Sequence, residues 1–222
     1  MPVNAEVIRV QLRPAIETVL SAQMLGQITE LNVALGQSVA AGQILVKFDC
    51  SEGEARLAMV KAEQIAAGAT LKAKIRMREL NAVGEIEVLL AKAEADRVTA
   101  SVSLAQAQLG PCQIKAPFSG RVVRVSAKPF QSVGVGSLLL ELVSDGILRV
   151  RLNIPSFMLA KLKQGQRFNI DIGETGKRYT ASVSAINARV DAVAQTIELE
   201  GVLDNNYPEL LSGMSGVAHF NF

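Results

Sequence analysis

The feature that most constrains this fold is an internal repeat with a long interruption. A segment that runs from Gly26 to Phe48 recurs without a gap 94 positions later, from Gly120 to Leu142. The identical pairs include Gly26 and Gly120, Gln37 and Gln131, Ser38 and Ser132, Val39 and Val133, Gly42 and Gly136, and Leu45 and Leu139. Each copy alternates short apolar segments with glycines, which is typical of short strands joined by tight turns. Neither copy can bury its apolar face alone, so the repeat predicts two copies sandwiched into one small β domain.

The insertion between the copies has a helical pattern. Small and apolar residues recur in alternating steps of four and three, as at the a and d positions of a coiled coil. The two predicted seams are Ala55, Met59, Ala62, Ala66, Ala69, Ala73, Arg76 and Leu80, and Ile86, Leu90, Ala93, Arg97, Ala100, Leu104 and Ala107. We expect an antiparallel helical hairpin that turns at residues 81–84 and projects about 40 Å, because its other faces are not apolar enough to require burial. A hairpin folded onto another domain is the alternative.

After the second copy, apolar residues alternate with polar ones at a period of two. The segments are residues 148–154, 168–172, 179–184 and 197–200. This pattern predicts half-buried antiparallel strands in a small barrel of about six strands, with one strand drawn from before Ser21. A short helix is predicted at residues 156–162, capped by Ser156, and a hairpin turn at residues 175–176.

Composition excludes several functions. The chain has 23 Lys and Arg against 21 Asp and Glu, so it lacks the basic excess of nucleic-acid-binding proteins. The single histidine, His219, alternates with apolar neighbours and is expected to be a solvated strand residue; a ligand or base is the alternative. We expect no enzyme and no resident metal. The chain has no apolar run of about 20 residues and no secretory signal at its start, so any export or anchoring segment is expected upstream.

The two repeats resemble the halves of the lipoyl or biotinyl carrier fold, a flattened barrel. In carriers a tight turn with the modified lysine joins the halves, whereas here the hairpin occupies that place, so no cofactor is expected. The whole order of parts resembles the membrane fusion protein or periplasmic adaptor family (HlyD-like, RND efflux adaptor subunits). Four motifs in sequence order carry this resemblance, at residues 36–45, 114–120, 162–166 and 210–216.

The resemblance implies a mainly β fold with a helical hairpin: a split lipoyl-like β domain with an inserted antiparallel α-hairpin, followed by a small antiparallel β-barrel. The expected boundaries are 1–20 for an N-terminal strand region of the barrel, 21–49 and 111–146 for the lipoyl-like halves, 50–110 for the hairpin and 147–222 for the barrel.

The resemblance also implies a function. A periplasmic adaptor couples an inner-membrane transporter, here expected to be of the RND type, to an outer-membrane channel of the TolC type. A homo-oligomeric ring, commonly of six adaptors, is expected around them, and the protein would lie in the periplasm at the inner membrane. The alternatives are an adaptor of an ABC-driven or type I secretion system and a periplasmic metal-binding efflux adaptor.

Two sites are predicted on the hairpin. Cys50 and Cys112 flank the insertion, and their midpoint is residue 81 at the predicted tip, so antiparallel helices would place them together in a disulfide. Two buried thiols are the alternative. Arg76 and Leu80, four apart, resemble the arginine and leucine of the tip motif that docks TolC-type channels, although Glu87 stands where that motif has serine. In the competing interpretation, Arg76 and Leu80 occupy seam positions, and Glu87 interacts favourably with the dipole at the N-terminus of the second helix.

Overall fold

A computed structural model describes residues 7–220. Its strands are Ile8–Arg13 (β1), Glu17–Ser21 (β2), Gly26–Leu31 (β3), Ser38–Val39 (β4), Ile44–Phe48 (β5), Gln113–Lys115 (β6), Gly120–Val125 (β7), Ser132–Val133 (β8), Leu138–Ser144 (β9), Arg149–Pro155 (β10), Arg167–Ile172 (β11), Lys177–Asp191 (β12), Thr196–Leu203 (β13) and Ser215–His219 (β14). Its helices are Ser51–Glu79 (α1) and Glu85–Gln108 (α2), with 3-10 helices at Gly110–Cys112 and Ser156–Lys161.

The chain divides into two compact units. The first, which we call the barrel unit, contains residues 7–18, 119–121 and 142–220, and the second, the hairpin unit, contains residues 19–118 and 122–141. The chain crosses from one unit to the other inside β2, β7 and β9 and once between residues 118 and 119, after β6.

The barrel unit is built on a closed barrel with the strand order β1-β10-β13-β12-β11-β14. Burial alternates along its strands, and in β1 every second residue from Ile8 is buried. The inward side chains form one apolar core, with Leu12, Ile154, Ile170 and Leu199 fully enclosed. Removing these side chains from water favours closure, because each buried side chain of this size contributes about 2 kcal/mol. The predicted small antiparallel barrel is confirmed, and β1 supplies one of its strands.

The two copies of the repeat contain the same strands. β3, β4 and β5 begin at Gly26, Ser38 and Ile44, and β7, β8 and β9 each begin 94 positions later. Their sheets have the orders β6-β5-β3-β8 and β2-β9-β7-β4, so the short middle strand of each copy lies in the sheet of the other copy. This exchange is why one copy cannot fold alone. The split lipoyl-like domain with an inserted hairpin is therefore confirmed.

One turn of the second copy holds a bulky residue in an unfavourable conformation. In the first copy the N–H of Gln37 donates to the carbonyl of Ala34, and Gly36 has a φ of 79°. Phe130 occupies the equivalent turn with a φ of 63° and is 73% exposed. Four more turns with this hydrogen bond place glycine at the same position: Gly42, Gly136, Gly165 and Gly213. Positive φ crowds the Cβ of an L residue. Because Phe130 is mostly exposed, burial of its side chain does little to offset that cost.

We expect Phe130→Gly to stabilise the protein by about 1 kcal/mol, because glycine adopts positive φ without a steric penalty. Thermal denaturation should show a melting temperature higher by about 3 °C. The matched control is Gly36→Phe in the first copy, which should lower the melting temperature by a similar amount. A lower melting temperature for Phe130→Gly would show that the phenylalanine makes a stabilising contact.

The predicted helix at residues 156–162 is a 3-10 helix, and its predicted cap is wrong. Pro155, rather than Ser156, occupies the N-cap position, and no side chain there caps the helix with a hydrogen bond. Proline holds φ near −60° and leads directly from β10 into the turn. Leu162 then leaves the helix in an extended conformation and packs into the barrel core. This burial ends the helix after six residues.

Candidate docking surface on the helical hairpin

The two hairpin helices meet along a seam that runs in steps of four and three. The buried or half-buried residues of α1 are Gly53, Leu57, Val60, Gln64, Ala67, Gly68, Leu71 and Lys74. Those of α2 are Val88, Ala91, Ala95, Val98, Ser101, Val102 and Ala105. Val60, Val102 and Ala105 form a small core against which Leu57 packs. The spacing in steps of four and three is the predicted one, but it falls on different residues.

The predicted seams are wrong, because every residue assigned to them, from Ala55 to Leu80 and from Ile86 to Ala107, is exposed. Alanine lies on more than one face of each helix and buries little area. Larger side chains such as Leu57 and Val60 therefore determine which face is covered. The observed frame also permits polar links between the helices. The Gln64 side-chain amide donates to the Thr99 hydroxyl at 3.1 Å.

The base of the hairpin is tightly built. A Cβ at Gly53 would lie 2.8 Å from Cδ2 of Leu109, so the start of α1 lies against the residue that follows α2. Cys50 and Cys112 are joined by a disulfide in the structure, with their Cα atoms 6.1 Å apart and with a separation of 62 positions in sequence. The bond lies where α1 begins and where the chain returns after α2.

At the other end, the turn between the helices presents Leu80 to solvent. The N–H of Leu80 donates to the carbonyl of Arg76 at 3.3 Å, and Asn81 turns the chain with a φ of 55°. Arg76 and Leu80 are one helical turn apart and both are exposed, so they share a face next to the turn. Glu87 of α2 instead forms an ion pair with Lys74 of α1. The structure therefore brings Arg76 and Leu80 together and gives Glu87 a partner across the seam.

Apolar side chains surround this turn and remain exposed. Leu80 is 74% and Ile86 73% exposed, and Leu89 and Leu90 are exposed as well. We call Arg76, Leu80, Ile86, Leu89 and Leu90 the tip surface. Exposed apolar residues also occur along the rest of the hairpin, among them Met59, Ile65 and Leu104, and of these Ile65 lies outside the predicted seams. The signal was in the sequence, because residues 86, 89 and 90 are spaced to lie on one helical face.

The histidine lies beside a surface ion pair on the barrel. His219 Nε2 lies 3.1 Å from Oδ2 of Asp171, and Arg178 donates two hydrogen bonds to the same carboxylate at 2.6 and 2.7 Å. Hydrogen bonding from Arg178 lowers the pKa of Asp171 to about 2. Within residues 7–220 no group of three His, Cys, Asp or Glu side chains is placed to hold a metal ion.

A split lipoyl-like domain, an inserted hairpin and a closed barrel define the class of membrane fusion proteins. Residues 17–140 match the family model described as "RND MFP, barrel-sandwich hybrid domain". The chain therefore belongs to the RND membrane fusion protein family. Members of this family are periplasmic, non-enzymatic adaptors of efflux systems that work with transporters and outer-membrane channels.

Several known proteins are similar to this chain in sequence or in fold. The chain is 27% identical over 219 residues to the nodulation protein NolF of Rhizobium meliloti, covering 91% of this chain and 59% of NolF. A MacA–MexA chimera with the Pseudomonas aeruginosa MexA α-hairpin has a TM-score of 0.86 at 21% identity, covering 96% of this chain and 78% of the chimera. The membrane fusion protein Spr0693 of Streptococcus pneumoniae R6 has a TM-score of 0.81 at 20% identity, covering 98% of this chain and 99% of Spr0693.

The chain spans 54 to 65% of the length of the curated relatives that it matches. Among the helices of the described residues, none combines the length and the apolar character that crossing a membrane requires.

Proposed function

We propose that this chain is a periplasmic adaptor that couples an inner-membrane transporter of the RND type to an outer-membrane channel of the TolC type. The description of the matching family supports an RND transporter over the alternative of an ABC-driven or type I secretion partner. In this proposal the tip surface docks on the channel and several copies, six in the expected ring, surround the conduit. The observation that carries the proposal is the exposed apolar character of the tip surface.

The tip surface is suited to binding rather than to folding. Leu80, Ile86, Leu89 and Leu90 lie outside the seam, so they do not stabilise the contact between the two helices. Exposing four large apolar side chains within eleven positions costs solubility, and such patches on soluble domains mark interaction sites. Arg76 adds a cation beside them, which can pair with a carboxylate or a backbone carbonyl of a partner.

Glu87 has a supporting role in this proposal. Its ion pair with Lys74 links α2 to α1 two residues from Leu89 and one from Ile86. Both partners are partly exposed, so the pair contributes little to stability. It nevertheless connects the end of α1 to the start of α2 beside the tip surface.

The sides of the hairpin provide surfaces for neighbouring copies. Met59 and Ile65 on α1 and Leu104 on α2 are exposed at a distance in sequence from the tip. A two-helix hairpin cannot enclose a conduit alone, whereas copies arranged in a ring would cover these side chains and leave the tips free for the channel.

The test replaces Arg76 by Glu and Leu80 by Asp together and measures substrate export in cells that lack the native adaptor. Both residues are exposed, so helicity and expression should not change. Burying two uncompensated charges in an interface should reduce channel binding by at least about 30-fold and abolish export. The matched control is Leu35→Asp, which charges a similarly exposed leucine outside the hairpin and should leave export unchanged.

Cross-linking gives the second readout. A photo-reactive residue at position 89 should yield an adduct with the channel that the double variant loses, and cross-linking in membranes should yield multimers of the chain. Full export by the folded double variant would end the docking proposal. Monomers alone, in the presence of transporter and channel, would contradict the ring.

A further inference from the structure

One end of the barrel carries exposed apolar side chains. The N–H of Ser156 donates to the carbonyl of Gln195 at 2.8 Å, which holds the 3-10 helix against the turn between β12 and β13. Phe157 of that helix is 76% exposed, and Val193 of that turn is 97% exposed. Three more exposed apolar residues belong to this end, and we call the set the barrel end: Phe157 and Val193 with Val7, Leu159 and Val190.

Arginines lie directly behind these apolar residues. Arg9 of β1 and Arg151 of β10 line one groove together with Val7. A second groove, lined by Arg151, Arg189 and Val193, shares Arg151 with the first. The basic and apolar side chains are therefore contiguous on the outside of the barrel, and Lys163 follows Phe157 on the segment between β10 and β11.

The acidic residues here are fewer and already engaged. Glu198 is ion-paired with Arg151. Asp191 accepts the N–H groups of Val193 and Ala194 at 2.9 and 3.0 Å, and these hydrogen bonds lower its pKa. Further along the barrel, the pairs Arg149–Glu200 and Arg178–Asp171 are balanced and add no net charge. Among residues 7–220, the basic residues Arg9, Arg151, Arg189 and Lys163 thus outnumber the acidic residues Glu198 and Asp191 at the barrel end.

We propose that the barrel end binds the surface of a bilayer that contains anionic phospholipid. Apolar side chains on a protruding turn and a short helix can enter the headgroup region, while arginines and lysines behind them attract anionic lipid. A fluid interface needs no pocket shaped to receive Val193, whereas a protein partner would have to provide one. This membrane contact is independent of the tip surface and of channel docking.

The test is sedimentation of the 222-residue chain with vesicles, without transporter or channel. Vesicles of phosphatidylcholine with about one-third phosphatidylglycerol should bind the chain at low salt, and binding should weaken as salt screens the arginines. Vesicles of phosphatidylcholine alone should bind at least about tenfold more weakly, because the electrostatic attraction is missing.

Two pairs of substitutions separate the contributions. Arg9→Gln with Arg189→Gln should weaken binding about fivefold for each charge removed. Phe157→Ser with Val193→Ser should weaken binding to anionic vesicles at every salt concentration, because the apolar contact is not screened. The matched controls are Phe130→Ser, at a phenylalanine 73% exposed in the turn of the second repeat, and Arg56→Gln on α1, and both should bind as the unmodified chain does.

Absence of binding to anionic vesicles at low salt would overturn the proposal. So would retention of binding by both barrel-end variants, or an equal loss in the controls, which would indicate adsorption by the whole surface. If the barrel-end variants lose binding to purified transporter while the unmodified chain ignores lipid, the partner is an acidic protein surface and the lipid proposal fails. None of these outcomes depends on export.

Discussion

Replacing both cysteines by alanine, Cys50→Ala with Cys112→Ala, is expected to lower the melting temperature by roughly 10 °C. The disulfide closes a loop across 62 positions, and closing a loop of this length reduces the entropy of the unfolded chain by an amount worth about 4 kcal/mol. Alanine is chosen because Cys112 is buried, where a serine hydroxyl would need a hydrogen-bond partner. Differential scanning calorimetry of the oxidised protein and the double variant measures the difference.

The double variant should still fold to the same structure. β5, which precedes the hairpin, pairs with β6, which follows it, through Val46 and Ile114 among others. This ladder holds the two ends of the insertion together when the bond is absent. Helicity should therefore remain unchanged at low temperature. Reducing the unmodified protein should reproduce the lower melting temperature, and two free thiols in protein freshly taken from the periplasm would show that the bond is not formed there.

The repeat made most of the β architecture predictable. Two copies that match without a gap must have turns of equal length, so strand starts in one copy could be transferred to the other. The glutamines Gln37 and Gln131 show the same agreement in detail, because each side chain accepts the N–H of the residue three positions earlier. Period-two alternation was equally informative for the barrel, since only one face of each strand is buried.

The spacing of apolar residues alone could not predict which face of each hairpin helix is buried. Apolar residues occur on two faces of these helices, and both faces follow steps of four and three. The alanine-rich face that ends at Leu80 was predicted to form the seam, whereas the structure buries the face that contains Val60 and Val98. The error changes the interpretation of the tip, because residues assigned to the seam, such as Ile86 and Leu90, are exposed and available to a partner.

The barrel end could not be found in the sequence at all. Val7, Phe157 and Val193 are separated by more than thirty positions from one another and share no motif. Their proximity depends on strand pairing within the barrel and on the hydrogen bond that holds the 3-10 helix to the β12–β13 turn. An exposed valine or phenylalanine is unremarkable singly, and only their assembly beside three arginines indicates a surface with a function.

Gly216→Ala should destabilise the barrel by about 3 kcal/mol and lower the melting temperature by roughly 10 °C. Gly216 lies on β14, between Val10 of β1 and Ile172 of β11. A Cβ at this position would lie 2.2 Å from the carbonyl oxygen of Asp171 and 3.1 Å from Cα of Ile172. The obstacle is backbone, which cannot rotate away as a side chain could, so β14 and β11 would have to separate where the barrel closes. Circular dichroism during heating measures the change.

Gly173→Ala is the matched control in the same barrel. A Cβ there would meet only the carbonyl oxygen of Ser215, at 3.8 Å, which is an ordinary contact. Its φ lies outside the positive range, so alanine should be accepted and could stabilise the protein by up to about 1 kcal/mol through the unfolded state. If Gly216→Ala melted at the same temperature as Gly173→Ala, β14 and β11 would be able to separate at little cost. The close backbone approach would then not be the reason for glycine at position 216.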